Sequence, residues 1–401
     1  APHARARASS NTAHAVAPAH VGPETTTGVP LRIYIYEDLP SVLNTNLRGN
    51  ALCYGAYSGA EALIPDLVAR SDVFTSDPEL ADFYLVPALC ECFVMHRLSR
   101  GMDFARAEAA LNSAFQQMLN TLQSSHPYWT RTEGRDHLFI FPTERGPSLI
   151  APHNLQRIRK AAFLVGSADI TAARFDTWKD IVIPPALPPW EASGDTGAWA
   201  VGAGAPAPVA EMPGEAERPT LLHFRGVLPG QEDLHAWGVR GKLAERLQTN
   251  TPPDVVFIAS REESSEGLRS GQCDGACMQN EMRRARFCLC PGGVEGWSLR
   301  ALAALAAGCV PVIVNDAAEL PFENRIDYSR ATLKISEAKA GEALELVRSQ
   351  AYAQRRPMLA ATLHNLTFHS PPQPGDAFDH LLRELHVRLR YFRHSAYRFF
   401  P

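Results

Sequence analysis

Between Leu31 and Ile335 the chain repeats one motif: a short apolar run, often closed by proline or glycine, then a helix-length polar and apolar segment. The runs are Leu31–Tyr36, Asp82–Pro87, His137–Pro142, Phe163–Val165, Ile181–Pro185, Thr220–Gly226, Asp254–Ile258, Phe287–Cys290, Cys309–Val314 and Leu333–Ile335. They are too short for buried helices and too uniformly apolar for one-sided strands, so they predict strands covered on both faces. Such strands, alternating with helices over 103–123 and near 237–248, make an α/β protein with mostly parallel sheets.

Residues 1–30 are rich in Ala, His, Pro and Thr without apolar periodicity and read as a disordered stalk. The Pro-, Gly- and Ala-rich stretch 191–218 reads as a linker or insertion. The boundaries then fall at 31–190 for a first α/β unit, 219–365 for a second and 366–401 for a helical tail that packs back on the first. Ligands of open α/β sheets sit at the carboxyl ends of strands, which directs attention there in both units.

A formal net charge of −4 leaves no basic excess with which to displace counterions, so no nucleic-acid partner is expected. The apolar run 301–314 is broken by Gly308 and Pro311 and is too short to span a bilayer. The eight cysteines permit disulfides, with connectivity open. A zinc site from Cys273, Cys277, Cys288 and Cys290 is disfavoured, because strand alternation sends Cys288 and Cys290 to one face. No metal is expected. Asn365-Leu366-Thr367 fits a glycosylation sequon.

The chemistry concentrates in 286–314. A strand ends at Cys290, Pro291-Gly292-Gly293 turns the chain, and Ser298 is placed to cap a helix from Leu299 to Ala307. Gly308 suits the position after the helix, and Cys309–Val314 is the next strand. Glycine lets the backbone approach a ligand, and a helix N-terminus favours an anion such as a diphosphate, to which Arg300 would add a charged contact. The pattern is neither a P-loop nor GxGxxG. The residues alone define an anion site in an α/β protein.

The ordered series RIYIYEDLP (32–40), SDVFTSDPELADFYLVP (71–87), PYWTRTEGRDHLFIFP (127–142), DIVIPP (180–185), LLHFRG (221–226) and RFCLCPGGVEGWSLRALAALAAGCVPVIVNDAAELPF (286–322) resembles the exostosin family of inverting glycosyltransferases. The resemblance implies a GT-B fold: two Rossmann-like domains facing across a cleft, the C-terminal one holding a nucleotide-sugar donor, first of all a UDP-sugar, and the N-terminal one a glycan or glycoprotein acceptor. No further cofactor is implied. A Golgi-lumenal location behind an N-terminal membrane anchor is, and so is pairing with itself or another glycosyltransferase.

Carried over by position, the donor-binding residues are Arg225, Gly292, Gly293, Glu295, Ser298, Arg300, Asn315 and Glu319, the last in the Glu319-Leu320-Pro321-Phe322 loop. Two positions depart from the family pattern. Leu299 stands between the Ser and Arg, where proline is usual. Ala303 stands where a Glu commonly holds the donor ribose, a loss of roughly 1.5–3 kcal/mol if nothing replaces it. Ala303 keeps open an alternative reading as a catalytically inactive glycan-binding or scaffold protein.

Inverting transfer also needs a group to take the acceptor hydroxyl's proton, placed just after a strand of the first unit. The catalytic candidates are Glu144 and Glu91, with His96, Glu37 and Asp38 behind them. His137 stands at the wrong end of its strand and reads as a packing residue, and Arg135–Asp136 as a structural ion pair.

Overall fold

The computed structural model describes residues 27–39, 42–44, 47, 50–54, 59–143, 145–166, 168, 175–186, 213–228, 234–248, 251–260, 275–292 and 300–394. Most of the predicted stalk and linker lies outside the described residues, as do Glu144 and the stretch 293–299 that contains Gly293, Glu295 and Ser298.

The first unit carries strands β1 (Ile33–Ile35), β2 (Phe83–Leu85), β3 (His137–Phe141), β4 (Ala162–Val165) and β5 (Ile181–Val182), all parallel, in the order β1-β2-β3-β4-β5. Its helices are α1 (Ala51–Tyr54), α2 (Gly59–Ala69), α3 (Cys90–Ser99), α4 (Phe104–Ser125), α5 (Pro127–Thr132) and α6 (Pro152–Ile158). The segment around Phe74 bridges β1 on its free edge, with Ile33 N donating to Val73 O at 2.7 Å and Thr75 N to Ile33 O at 3.0 Å. The chain thus visits one side of β1 before crossing to β2 on the other, and the topological switch lies between β1 and β2.

The second unit repeats the scheme with β6 (Thr220–Val227), β7 (Val255–Ser260), β8 (Ala285–Pro291), β9 (Val310–Val314) and β10 (Leu333–Lys334), in the order β10-β9-β8-β6-β7. Its helices are α7 (Leu234–Leu247), α8 (Gly275–Arg283), α9 (Arg300–Ala306), α10 (Ala343–Arg348), α11 (Tyr352–Asn365) and α12 (Ala377–His394). Here the switch lies between β6 and β8. Two Rossmann-like units are therefore present, the architecture of the GT-B class.

Strand alternation divides the first unit's core. Leu138 and Ile140 join a core that continues into the second unit, where it includes Phe224, Leu289 and Val312. Phe139 and Phe141 face the opposite side, against Phe115, Trp129 and Phe163. Gly308 has φ +69°, the left-handed conformation expected of a residue that ends a helix.

The carboxyl ends of the two sheets meet. In the loop after β9, Glu319 N donates to Ala168 O beyond β4 (3.2 Å) and Phe322 N to Val182 O at the end of β5 (3.3 Å). Phe322 is held at φ +53° and stacks on His380 of α12 at 5.6 Å. From α12, Arg388 donates to the carbonyl of Asp180 at 3.1 Å and pairs with the buried Glu384.

Arg218, just before β6, is fully buried and ties the foot of the second unit together. Its guanidinium donates to the carbonyls of Ala285 (2.7 Å), Ala307 (3.0 Å) and Met282 (3.4 Å) and lies over the Tyr352 ring. Disulfides join Cys53 to Cys92 and Cys288 to Cys309, while Cys90 and Cys290 are buried free thiols. Among the described residues no helix is long and apolar enough to cross a membrane.

Candidate functional site

At the switch of the second sheet, the carboxyl end of β8 leads into Gly292, whose N–H donates to Val314 O at the end of β9 (3.3 Å). Arg300, the first residue of α9, is only 8% exposed. Its guanidinium stacks on the Phe224 ring of β6 at 5.0 Å. A Cβ on Gly226 would meet Arg300 Nη2 at 2.9 Å, so glycine at 226 is what lets the guanidinium lie against the strand. Burial pushes the neighbouring Cys290 thiol up to about 12, with the Arg300 charge pulling the other way. Arg300 thus places a buried positive charge at the β6–β8 crevice, where open sheets of this order take their ligands.

Arg225 behaves differently. His223 and Arg225, two apart on β6, share one face of the strand, opposite Phe224 and Gly226. Both are bound by Glu281 of α8. Arg225 forks onto the carboxylate through Nε (3.0 Å) and Nη2 (2.6 Å), and His223 Nε2 lies 2.9 Å from Oε2. Burial would raise the Glu281 carboxyl, but the His223 and Arg225 hydrogen bonds and charges outweigh it and hold it at about 2. The two arginines expected together at a diphosphate are therefore on opposite faces of β6, and of the two Arg300 is the one in the crevice. Nothing in the sequence signalled Glu281, a lone carboxylate 56 residues from Arg225 in a polar helix.

Two other predicted donor residues shape their own loop. The Asn315 side-chain oxygen accepts from Ala317 N (2.9 Å) and Ala318 N (3.0 Å), a turn that sets the path after β9. Glu319 is half-buried where Arg388, Glu323, Glu384 and Asp180 act on it, and burial, the largest effect, raises its carboxyl. That puts Glu319 at the junction between the units. Ala303 is buried within α9.

In the first unit, Glu91 stands in the first turn of α3, directly after β2, and is 8% exposed. Its carboxylate accepts a hydrogen bond from Thr143, which follows β3. The Glu91 and Cys92 N–H groups donate to the Glu61 carboxylate of α2 at 3.0 and 3.2 Å. Glu61, not anticipated from the sequence, is 2% exposed. Burial and then the Glu91 charge hold its carboxyl well above the usual range, against the backbone hydrogen bonds. Gly166, after β4, packs so closely that a Cβ there would fall 1.7 Å from Pro142 O.

His137 is buried between Tyr36 Oη and Asp136, each at 2.8 Å, as a packing residue. Asp136 is engaged by His137 and Thr132 instead of the expected Arg135, because the turn between α5 and β3 brings those two side chains to its carboxylate. Asn365 of the sequon is half-buried at the end of α11. His96, Glu37 and Asp38 are not brought to the Glu91–Thr143 pair in the contacts seen among the described residues; Asp38 instead pairs with His126 at 3.6 Å.

The fold and site define a two-unit α/β protein with a buried cation at the switch of its second sheet and buried carboxylates after the strands of its first. The chain belongs to the exostosin GT47 family of glycosyltransferases: the Exostosin GT47 domain model matches residues 27–350. It is 27% identical over 378 residues to the probable glucuronoxylan glucuronosyltransferase IRX7 of Arabidopsis thaliana, spanning 90% of this chain and 77% of that protein. To the probable glucuronosyltransferase 47 A of Physcomitrium patens it is 26% identical over 377 residues, covering 90% and 76%. To the probable beta-1,4-xylosyltransferase IRX10 of Arabidopsis thaliana it is 26% identical over 378 residues, covering 90% and 82%. The relatives carry transferase names, which favours the enzyme over the scaffold reading.

Proposed function

We propose that the protein transfers a pentosyl or hexosyl residue from a UDP-sugar to a hydroxyl of a glycan with inversion at the anomeric carbon. The donor diphosphate binds at the turn after β8 against Arg300, and the acceptor lies at the carboxyl ends of the first sheet. The observation that carries this reading is the Arg300 guanidinium seated in the β6–β8 crevice beside Gly226. A guanidinium screened from water attracts a phosphate more strongly than one in solvent, and its fork matches the phosphate oxygens. In the reaction, the acceptor oxygen attacks the anomeric carbon and the carbon–oxygen bond to the diphosphate breaks. Nucleoside diphosphate leaves with the electron pair, and Glu91 takes the hydroxyl proton.

The names of the relatives make UDP-xylose and UDP-glucuronic acid the first donors to try, with xylo-oligosaccharides as acceptors. Disulfides at Cys53–Cys92 and Cys288–Cys309 suit an oxidising lumen such as the Golgi, with a membrane anchor preceding Ala1. Pairing with another copy or with a second transferase belongs to the same reading.

Thermal stabilisation by a panel of nucleotides and nucleotide sugars tests the donor site, a ligand at 100 times its Kd contributing about 2.7 kcal/mol. A shift with UDP-sugars that Arg300→Ala removes is expected. Absence of any shift, or an unchanged shift in Arg300→Ala, refutes the placement. Product formation on xylo-oligosaccharides then reads the sugar transferred.

A further inference from the structure

Helix α3 begins without a side-chain cap of its own, because its N-cap residue is Leu89. The free N–H groups of its first turn need acceptors. Glu61 supplies them from α2, both oxygens lying within 3.0–3.1 Å of Glu91 N and one within 3.2 Å of Cys92 N. The same turn carries the Glu91 side chain to Thr143. A helix cap alone calls for nothing more than Ser, Asp or Asn at the N-cap position. Here a second carboxylate, itself buried, is brought across from another helix to the base of the turn that presents Glu91.

We propose that Glu61 is a positioning residue for proton transfer: it fixes the first turn of α3, and its carboxyl and that of Glu91 hold one proton between them during turnover. This rests on the reading of Glu91 as the proton acceptor. When the acceptor hydroxyl attacks, its O–H bond breaks as the glycosidic C–O bond forms, and the proton comes to the Glu61–Glu91 pair. The nucleoside diphosphate departs with the electrons of the broken bond, and the pair returns its proton to water as product leaves. Two strongly interacting carboxyl groups titrate as a unit, with the second ionisation displaced upward towards the pH at which a base works best. Among the described residues the Cys90 thiol lies against the pair; burial and then the two carboxylates push it up, so it stays protonated and neutral. Thr143 contributes a hydroxyl, and Cys92 is held in its disulfide.

The test uses the full chain with UDP-sugar and xylo-oligosaccharide, with turnover and KM followed against pH for wild type, Glu91→Gln and Glu61→Gln. Glu91→Gln should turn over at least about 100-fold more slowly at unchanged KM, on the order of general-base effects. Glu61→Gln should move the acidic limb of the profile down by about one pH unit. Full turnover in Glu91→Gln overturns the base reading and the inference with it. Slowed turnover in Glu91→Gln with an unmoved limb in a folded, active Glu61→Gln overturns the inference alone and leaves Glu61 a helix cap. Should Glu61→Gln not fold, infrared titration of the carboxyl bands in wild type and Glu91→Gln decides. A carboxyl that titrates near neutrality in wild type and at lower pH in Glu91→Gln supports the shared proton; the same titration in both, or ordinary titration in both, overturns it.

Discussion

Replacing Glu281 by Gln should destabilise the second unit in a manner that depends on pH. The carboxylate accepts from Arg225 through two nitrogens and lies in hydrogen-bonding contact with His223, and it is 26% exposed at its side chain. Its pKa falls from 4.5 to about 2, the hydrogen bonds and charges of His223 and Arg225 overriding a burial effect of opposite sign. A depressed folded value means that the stabilisation is complete above the unfolded value and is lost as pH falls through the folded one. The window therefore runs from about 4.5 down to about 2. Taken at 1.36 kcal/mol per unit the shift corresponds to about 3 kcal/mol, and screening at a partly exposed site reduces that to about 1–2 kcal/mol. Urea midpoints of wild type and Glu281→Gln at pH 7, 4.5 and 2.5 check this. The gap should be full at pH 7, nearly unchanged at 4.5 and shrinking by 2.5. Equal midpoints at pH 7, or a gap already closed by 4.5, would show that the ion pair does not contribute as its geometry requires.

Gly226→Ala forces the Arg300 guanidinium off the strand and should weaken UDP-sugar binding about tenfold with less than about 1 kcal/mol lost in stability, read by calorimetry and by melting. Arg218→Ala strands buried carbonyls at Ala285, Ala307 and Met282 and should cost about 3–5 kcal/mol in urea unfolding, an effect Arg218→Lys only partly restores. Gly166→Ala drives a methyl into the Pro142 backbone and should lower the melting temperature more than Gly59→Ala, whose added methyl meets nothing closer than 3.0 Å, with loss of activity because Thr143 moves with Pro142.

The strands were legible because each is a short apolar run closed by a breaker, and β8–α9–β9 fell within a residue or two of its expected bounds. Gly308 was legible for the same reason, a helix end needing left-handed backbone. Strand order was not. It depends on which edge of β1 receives the segment near Phe74 and which edge of β6 receives β8, and no local pattern encodes that choice. At the site, Gly292 and Arg300 could be placed from the turn and helix. The partnership of Arg225 with Glu281, and of Glu91 with Glu61, could not, since each joins residues 30 or more apart, the first through packing of α8 on β6 and the second through packing of α2 on α3. Asn315 and Glu319 were singled out by motif position, and their side chains serve the loop and the junction between units.

That junction is a clasp between the two sheets. Two main-chain bonds, Glu319 to Ala168 and Phe322 to Val182, tie the loop after β9 to the strand ends of the first sheet, and Arg388 adds a third tie at Asp180. Phe322 keeps its left-handed conformation only while the contacts on both sides hold it. A substitution at Phe322 therefore acts on both units at once, because its N–H is held by Val182 and its ring by His380.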